Sequence, residues 1–274
     1  MSTPIGNLDD ITYRAVEVLS GVARVLAEDT RRTSILFRRY GIKTPLVSAH
    51  AHNEAARAAE VRVWLDAGDD VAIVSDAGTP LLSDPGLRIV REVLAAGHEV
   101  VPVPGASALL AALVGSGLDA QPFTFYGFVP RSGRVRREVL EAAAALEHTA
   151  VFHEAPARLR RLLSDLEAIC GGGRDVVVAR ELTKVHETFV RGTLAEVVAY
   201  YEVESVRGEI VVLLSGKRDA GPEAGPEATA LARHMLEAGE RPSVIARALA
   251  KRLGIARNEA YAIVLAHAAE RKID

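Results

Sequence analysis

From its start to about residue 217 the chain alternates short β-branched apolar runs with amphipathic helical stretches. Strand candidates are residues 22–27, 45–49, 71–75, 99–103, 123–127, 149–153, 175–179, 187–191 and 209–214. Most are apolar along their whole length rather than at every second position. A strand reads that way when helices cover both faces of its sheet, so the alternation predicts an α/β architecture. Aromatic residues make up 5% of the sequence, and the apolar mass is Ala, Val and Leu. That balance favours helices packed on a parallel sheet over an aromatic-rich β-sandwich.

A length of 274 residues suits about two domains of roughly 100–200 residues each. The pattern loosens over residues 118–133, which divides an α/β domain at 1–118 from a second at 119–217. Residues 219–227 read DAGPEAGPE, with no apolar periodicity, and mark a linker over 218–227. Beyond it only helical periodicity remains, at 228–238, 243–253 and 257–270, with Gly254 in the turn between the last two. This predicts a small helical extension over 228–274 containing a helix-turn-helix-like pair.

A net charge of −3 excludes a general polyanion binder, so nucleic-acid contact would need local basic clusters. A single cysteine, Cys170, excludes an intrachain disulfide and a multi-cysteine zinc site, and suits the cytoplasm. No apolar run reaches the roughly 18–20 residues of a membrane span, and the start does not read as a signal peptide.

Ligands of open α/β sheets bind outside the carboxyl ends of the strands. Three loops follow strands here: SDAGTPLLSDPG at 75–86, PVPGASA at 102–108 and ARELTK at 179–184. In the first, Gly78 lets the backbone approach a ligand, and Asp76 and Thr79 offer polar groups. Asp84-Pro85 reads as the N-cap and first residue of the next helix. In the second, Ser107 opens a helix whose free amides could take a carboxylate, although a cap alone would explain it. Asn53 reads as a cap for a helix running to Ala67. No dinucleotide G-x-G-x-x-G follows a strand, and no P-loop is present. His50 and His52 lack a third metal ligand and read as a surface loop. Two mixed-charge clusters, EDTRR at 28–32 and the charged residues of 180–191, also follow strands.

TPIGNLDDIT (3–12), EDTRRT (28–33), HNE (52–54), SDAGTPLLSDPG, PGASA (104–108), GFVPR (127–131), ARELTK and FVRGT (189–193) occur in this order. Together they closely resemble the ribosomal RNA small-subunit methyltransferase I family, within the tetrapyrrole methylase superfamily. The resemblance spans almost the whole chain. It implies two α/β domains of tetrapyrrole-methylase type with S-adenosylmethionine in the cleft between them, and a homodimer. It also implies 2′-O-methylation of a cytidine in the decoding region of 16S ribosomal RNA. Gly78, Thr79 and Pro80 look like the superfamily's Gly-Asp-Pro donor loop. Gly6, Asp76, Ser107, Ala108, Ala179 and, less directly, Gly208 fall where the donor would be held. In one respect the chain departs from the family: only Met1 and Ser2 precede Thr3, where the family has a first apolar strand. A groove beside the donor site and weakened donor binding are the corresponding expectation.

A 2′-hydroxyl is a poor nucleophile while neutral, so a positioned base would help. Asp29 and Glu181 are the candidate bases, and Lys184 could orient the hydroxyl or offset developing negative charge. Arg31, Arg32, Arg131 and Arg191 are candidate phosphate contacts. Arg247, Lys251, Arg252 and Arg257 cluster on the helical extension and could hold RNA by its backbone. Competing readings are a small-molecule tetrapyrrole methylase and a non-catalytic nucleic-acid binder. The second leaves the strand-end loops unexplained.

Overall fold

The computed structural model describes residues 1–217 and 226–253, with residues 260, 261, 263 and 264. Met1–Lys217 form one compact unit and Arg218–Asp274 a second.

The first unit holds two sheets. Its first half runs α1 (Tyr13–Gly21), β1 (Arg24–Ala27), α2 (Thr30–Tyr40), β2 (Leu46–Ser48), α3 (Glu54–Asp66), β3 (Val71–Val74), α4 (Leu87–Ala95) and α5 (Ala108–Ser116). Strands β2, β1 and β3 lie side by side in that order, all parallel. Alternate residues of β1 go to opposite faces. Val25 and Ala27 pack with Leu19, Leu36 and Phe37 of α1 and α2, and Leu26 packs with Ala58, Val61, Ile89 and Val93 of α3 and α4. Burial on both faces is why β1 carries no polar alternation.

The second half runs β4 (Phe123–Phe128), α6 (Gly133–Ala145), β5 (Thr149–Glu154), α7 (Pro156–Cys170), β6 (Asp175–Arg180), β7 (Thr188–Thr193), α8 (Leu194–Val203) and β8 (Ile210–Leu214). The sheet order is β4-β5-β8-β6-β7. One face, with Phe152, Val178 and Val212, packs on Leu159, Leu162, Leu163 and Leu194 of α7 and α8. The other, with Val151, Val177, Val211 and Leu213, packs on Leu109 and Leu113 of α5 and on Ile5. Helix α5 thus lies before the division drawn at residue 118 but fills a face of the second sheet.

Four local expectations need correction. The second sheet is mixed: β4 and β5 are parallel, but β5–β8, β8–β6 and β6–β7 are antiparallel. Only residues 181–187 join β6 to β7, too few for a parallel crossover, which takes about a dozen residues. Residues 99–103 join no ladder. Their tie to the first sheet's edge region is Ser2 N–H donating to the Val103 carbonyl at 3.1 Å, and Val100 and Val101 are exposed. Helix α4 starts at Leu87 behind Gly86, not at Asp84-Pro85. Its amino end is capped from α3, since Glu54 Oε1 accepts from Gly86 N at 3.1 Å and Arg88 N at 2.7 Å. Asn53 holds the N-cap position of α3 without capping it. Its Oδ1 accepts from His50 N and its Nδ2 donates to the Ser48 carbonyl.

In the second unit, α9 (Pro226–Glu237) and α10 (Pro242–Leu253) share a core of Ala228, Ala232, Ile245, Ala246 and Leu249 with Ala260, Ile263 and Val264. Residues 218–225 of the expected linker, Gly254 and Arg257 lie outside the described residues, as does most of the expected last helix. No described helix is long and apolar enough to cross a membrane.

Glu54→Ala removes the acceptor of both hydrogen bonds at the amino end of α4. A loss of about 1 kcal/mol is expected from the urea midpoint, as for a deleted N-cap, and an unchanged midpoint would refute the cross-helix cap.

Candidate functional site

A cavity of about 370 Å³ opens where the strand-end loops of both sheets meet. That size suits a small organic ligand. Gly78 and Thr79, after β3, form one wall. Thr3 and Gly78 exchange backbone hydrogen bonds of 2.9 and 3.0 Å, so the N-terminal segment holds this wall in place. Gly78 has φ +75°, and a Cβ there would meet Ile5 Cγ2 at 3.3 Å. A side chain there would be strained by the positive φ and would press on Ile5, which leaves bare backbone facing the cavity. Thr79 Oγ1 lies 2.9 Å from Ser2 Oγ.

Ser107 and Ala108 form the next wall, at the amino end of α5. Ser107 Oγ accepts from Leu110 N at 3.5 Å, a long cap. The first amides of a helix have no intrahelical acceptor, so this end favours an anionic group. Opposite, β8 runs against β5, so its amino end reaches the cavity with Gly208, Glu209 and Ile210.

The carboxyl ends of β4 and β5 add an aromatic corner. The His153 ring stands edge-on to Phe125 at 4.9 Å and to Phe128 at 5.6 Å between centroids. His153 Nε2 and Glu154 Oε2 are buried with no hydrogen-bond partner, and both residues border the cavity. Burial lowers the His153 pKa, so the ring is neutral and its edge can exchange one hydrogen bond with a ligand. Glu154 Oε1 is taken by Ala155 N and by Arg158 Nε at 3.0 Å.

Asp84, not needed as a helix cap, lines the cavity. Burial raises its pKa to about 6, helped by repulsion from Glu28 and Asp76, against a hydrogen bond from Ser75. Glu28 is raised as well, chiefly by burial. Half-buried carboxylates this close together cannot all ionise easily, and Asp84 is poised to take a proton near neutral pH.

The other expected site residues are not among those that line this cavity. Asp29 is the N-cap of α2 and is held by Arg31 at 2.7 Å, which brings its pKa down to about 2. Arg32 pairs with Asp76 at 3.2 Å, and Asp76 also accepts from Asp29 N. Glu181 accepts from Lys184 Nζ at 2.7 Å and from Glu209 N at 2.9 Å, and its pKa is lowered chiefly by the lysine. Lys184 also reaches Glu209 at 3.1 Å. Of these three, Glu209 lines the cavity, and the other two hold it. Gly208 has φ +86°, and a Cβ on it would overlap the Glu181 carboxylate. Gly6 passes against Thr183 and Lys184. Ala179 is buried in β6 between Val211 and Phe189.

Arg131 is exposed between β4 and α6. Arg191 donates to the carbonyls of Ser116 and Gly115 and lies 4.7 Å over the Phe189 ring. Its guanidinium closes the carboxyl end of α5. Arg247, Lys251 and Arg252 are exposed on α10, in the other unit. The His50 and His52 rings are 5.9 Å apart, and among the described residues no group of three His, Cys, Asp or Glu could hold a metal. Sequence reasoning missed Phe125, Phe128, His153, Glu154 and Glu209. The signal was available for Phe128, His153, Glu154 and Glu209, which sit at or beside a strand end, but not for Phe125, midway along β4.

Residues 2–198 match the sequence model of the Tetrapyrrole (Corrin/Porphyrin) Methylases. A protein of Synechocystis sp. (strain ATCC 27184 / PCC 6803 / Kazusa) named ribosomal RNA small subunit methyltransferase I is 42% identical over 270 residues, covering 97% of this chain and 96% of that one. The Pseudomonas aeruginosa protein of that name is 45% identical over 264 residues, covering 95% and 94%. Among solved structures, the methyltransferase CobJ aligns with a TM-score of 0.59 at 21% identity, over 79% of this chain and 93% of that one. A uroporphyrin-III-C-methyltransferase from Thermus thermophilus aligns at 0.54 and 17% identity, over 78% and 91%. These two likenesses speak to the fold alone.

The raised Asp84 pKa has a stability consequence. The folded state binds this proton more tightly than the unfolded chain, so the residue lowers stability as pH rises from about 4 to 6. Asp84→Asn is therefore expected to be more stable than the parent above pH 6, by about 1 kcal/mol after allowing for solvent screening, and equal to it below pH 4. Thermal melts across pH test this, and a parallel pair of curves would contradict it.

Proposed function

The chain belongs to the tetrapyrrole (corrin/porphyrin) methylase family, and from that premise we propose that it transfers a methyl group from S-adenosylmethionine to the 2′-hydroxyl of a cytidine in the decoding region of 16S ribosomal RNA. The observation that carries the reading is the near full-length similarity to proteins named ribosomal RNA small subunit methyltransferase I. A cytoplasmic homodimer is part of the same reading.

The cavity's chemistry fits the donor. The bare backbone at Gly78, the amides at the start of α5 and the apolar side chains of Ile5 and Leu109 offer surfaces for a molecule with a carboxylate, a thioether-like chain and a purine. The unpartnered His153 and Glu154 atoms offer hydrogen bonds to a base or ribose. When bound, S-adenosylmethionine supplies an electrophilic methyl group on a sulfonium.

The residues then have separate tasks. Gly78, Thr79, Ser107, Ala108 and Gly208 border the donor. Phe128, 53% exposed at the rim, gives an incoming base a face to stack on. Asp84 accepts the 2′-hydroxyl proton at a carboxylate oxygen as the ribose oxygen attacks. It replaces Asp29 and Glu181 in this role, because Arg31 and Lys184 hold those two carboxylates as weak bases outside the cavity lining. Lys184 positions Glu181 and Glu209. Alignment of the ribose oxygen with the methyl group supplies most of the acceleration, and the base a further factor of about 10²–10⁴.

Incubation with labelled S-adenosylmethionine and small ribosomal subunits from cells lacking the activity, followed by nucleoside mass spectrometry, should place label in 2′-O-methylcytidine. Label in a tetrapyrrole and none in RNA would overturn the reading. With the parent, kcat should rise with pH through about 6. Asp84→Asn should lower kcat about 100-fold and abolish that rise while donor Kd stays unchanged. Full activity of Asp84→Asn would exclude it as the base.

A further inference from the structure

A second concavity, a groove of about 710 Å³, runs between α6 and α7, away from the residues that line the first. Its walls carry Arg134, Arg136, Arg137 and Arg161 against only Glu141 and Asp165. The arginines differ in state. Arg136 is 4% exposed and is held by Asp165 at 2.8–2.9 Å and by the Pro130 carbonyl at 3.0 Å. It forms the floor. Arg134 and Arg161 have side chains 87% and 61% exposed. Arg134 meets Glu138 at 3.3 Å, an exposed pair of small worth, and Arg161 reaches the already shared Asp165 only at 3.9 Å. Arg137 is exposed and has no carboxylate partner among the described residues. Asp165 therefore answers chiefly the buried arginine, and the rim arginines, weakly paired or unpaired with carboxylates, keep most of their side-chain surface in solvent.

The local backbone adds to this charge. Helix α6 has no acidic residue in its first turn, and Ser132 at its N-cap makes no capping bond. Arginines here stand on the positive end of a helix, an arrangement that disfavours the free state and favours a bound anion. The chain as a whole is net negative, at −3, so the groove stands out as a local positive strip. It also lies near the first cavity. Phe128 lines that cavity and Gly133 opens the groove, and the five Cα–Cα steps across the four residues between them span at most about 18 Å.

We propose that the α6–α7 groove seats the phosphodiester backbone of the RNA substrate and leads the target nucleotide to the Phe128 rim. The inference rests on the RNA reading above and assigns its backbone contacts to a surface other than Arg31, Arg32 or the helical extension. A strand lying in the groove meets Arg134, Arg137 and Arg161 in turn, while the Arg136–Asp165 pair keeps the two helices at fixed spacing. Arg suits this role because its planar fork binds phosphate oxygens two at a time.

The test uses the full-length protein with Arg134→Gln, Arg137→Gln and Arg161→Gln combined, leaving the buried Arg136 in place. Melting temperature and donor Kd should match the parent. KM for small ribosomal subunits should rise about ten-fold with kcat preserved. The slope of log affinity against log salt should fall by about 2, at roughly 0.7 for each phosphate of a single strand that is no longer neutralised. Lysine at the same three positions should recover most of the KM, since it keeps the charge. An unchanged KM and salt slope, with the parent active on RNA, would overturn the proposal. So would a loss of self-association with KM unchanged, which would give the groove to a second copy of the chain. If the parent itself transfers no methyl group to RNA, the functional reading fails first and the groove's assignment falls with it.

Discussion

The site depends on the pair of backbone hydrogen bonds between Thr3 and Gly78. A loop after a strand is free to take many paths, and residues 75–86 contain two glycines and two prolines but no regular hydrogen-bonded structure. Crossing it with an extended segment fixes one path. The same segment continues to Ile5, which is buried in the core of the second sheet beside Leu109, Val177 and Val211. Asn7 N then donates to Thr183 Oγ1 in the loop between β6 and β7. Seven residues thus tie the strand-end loops of one sheet to the core and loops of the other. The cavity lies along that seam, so its walls keep their spacing only while the seam is closed.

Charge is sorted by location. The cavity and its edge hold Glu28, Asp76, Asp84, Glu154 and Glu209, an environment suited to a cationic sulfonium and to holding a transferable proton. Arg134 and Arg161 lie on the outside, where their exposure lets them meet a polyanion without desolvation. Cations nearer the cavity are paired: Arg158 with Glu154, Arg32 with Asp76, and Lys184 with Glu181 and Glu209. A protein with net negative charge can use both signs in this way because each acts over about a Debye length, near 8–10 Å at ordinary salt.

Much of the fold was legible because burial on both faces leaves a strong mark on short strands. Val71–Val74 and Ile210–Leu214 read as strands from their composition alone. Pairing was less legible. Residues 99–103 carry the same apolar signal but join no ladder, because a run of valines does not encode its neighbour. The antiparallel turn into β7 could have been read from the seven residues 181–187. Within the site, the glycines and Ser107 showed themselves through position in their loops. Asp84 was masked by the residues after it, since Asp-Pro is also a good helix start. Only the hydrogen bonds from Gly86 and Arg88 to Glu54, well before them in the chain, show that α4 needs no cap from Asp84. Asp29 and Glu181 attracted attention for their basic neighbours. The structure shows those neighbours tying the carboxylates down as ion pairs.

The central claim is that the seam cavity receives the methyl donor. A crystal structure of the full-length protein with S-adenosylhomocysteine tests it most directly. The account predicts the ligand between Gly78, Ser107 and Gly208, with Asp84 and the His153 edge facing it. Ligand bound at any other surface, with this cavity filled only by solvent, would contradict it.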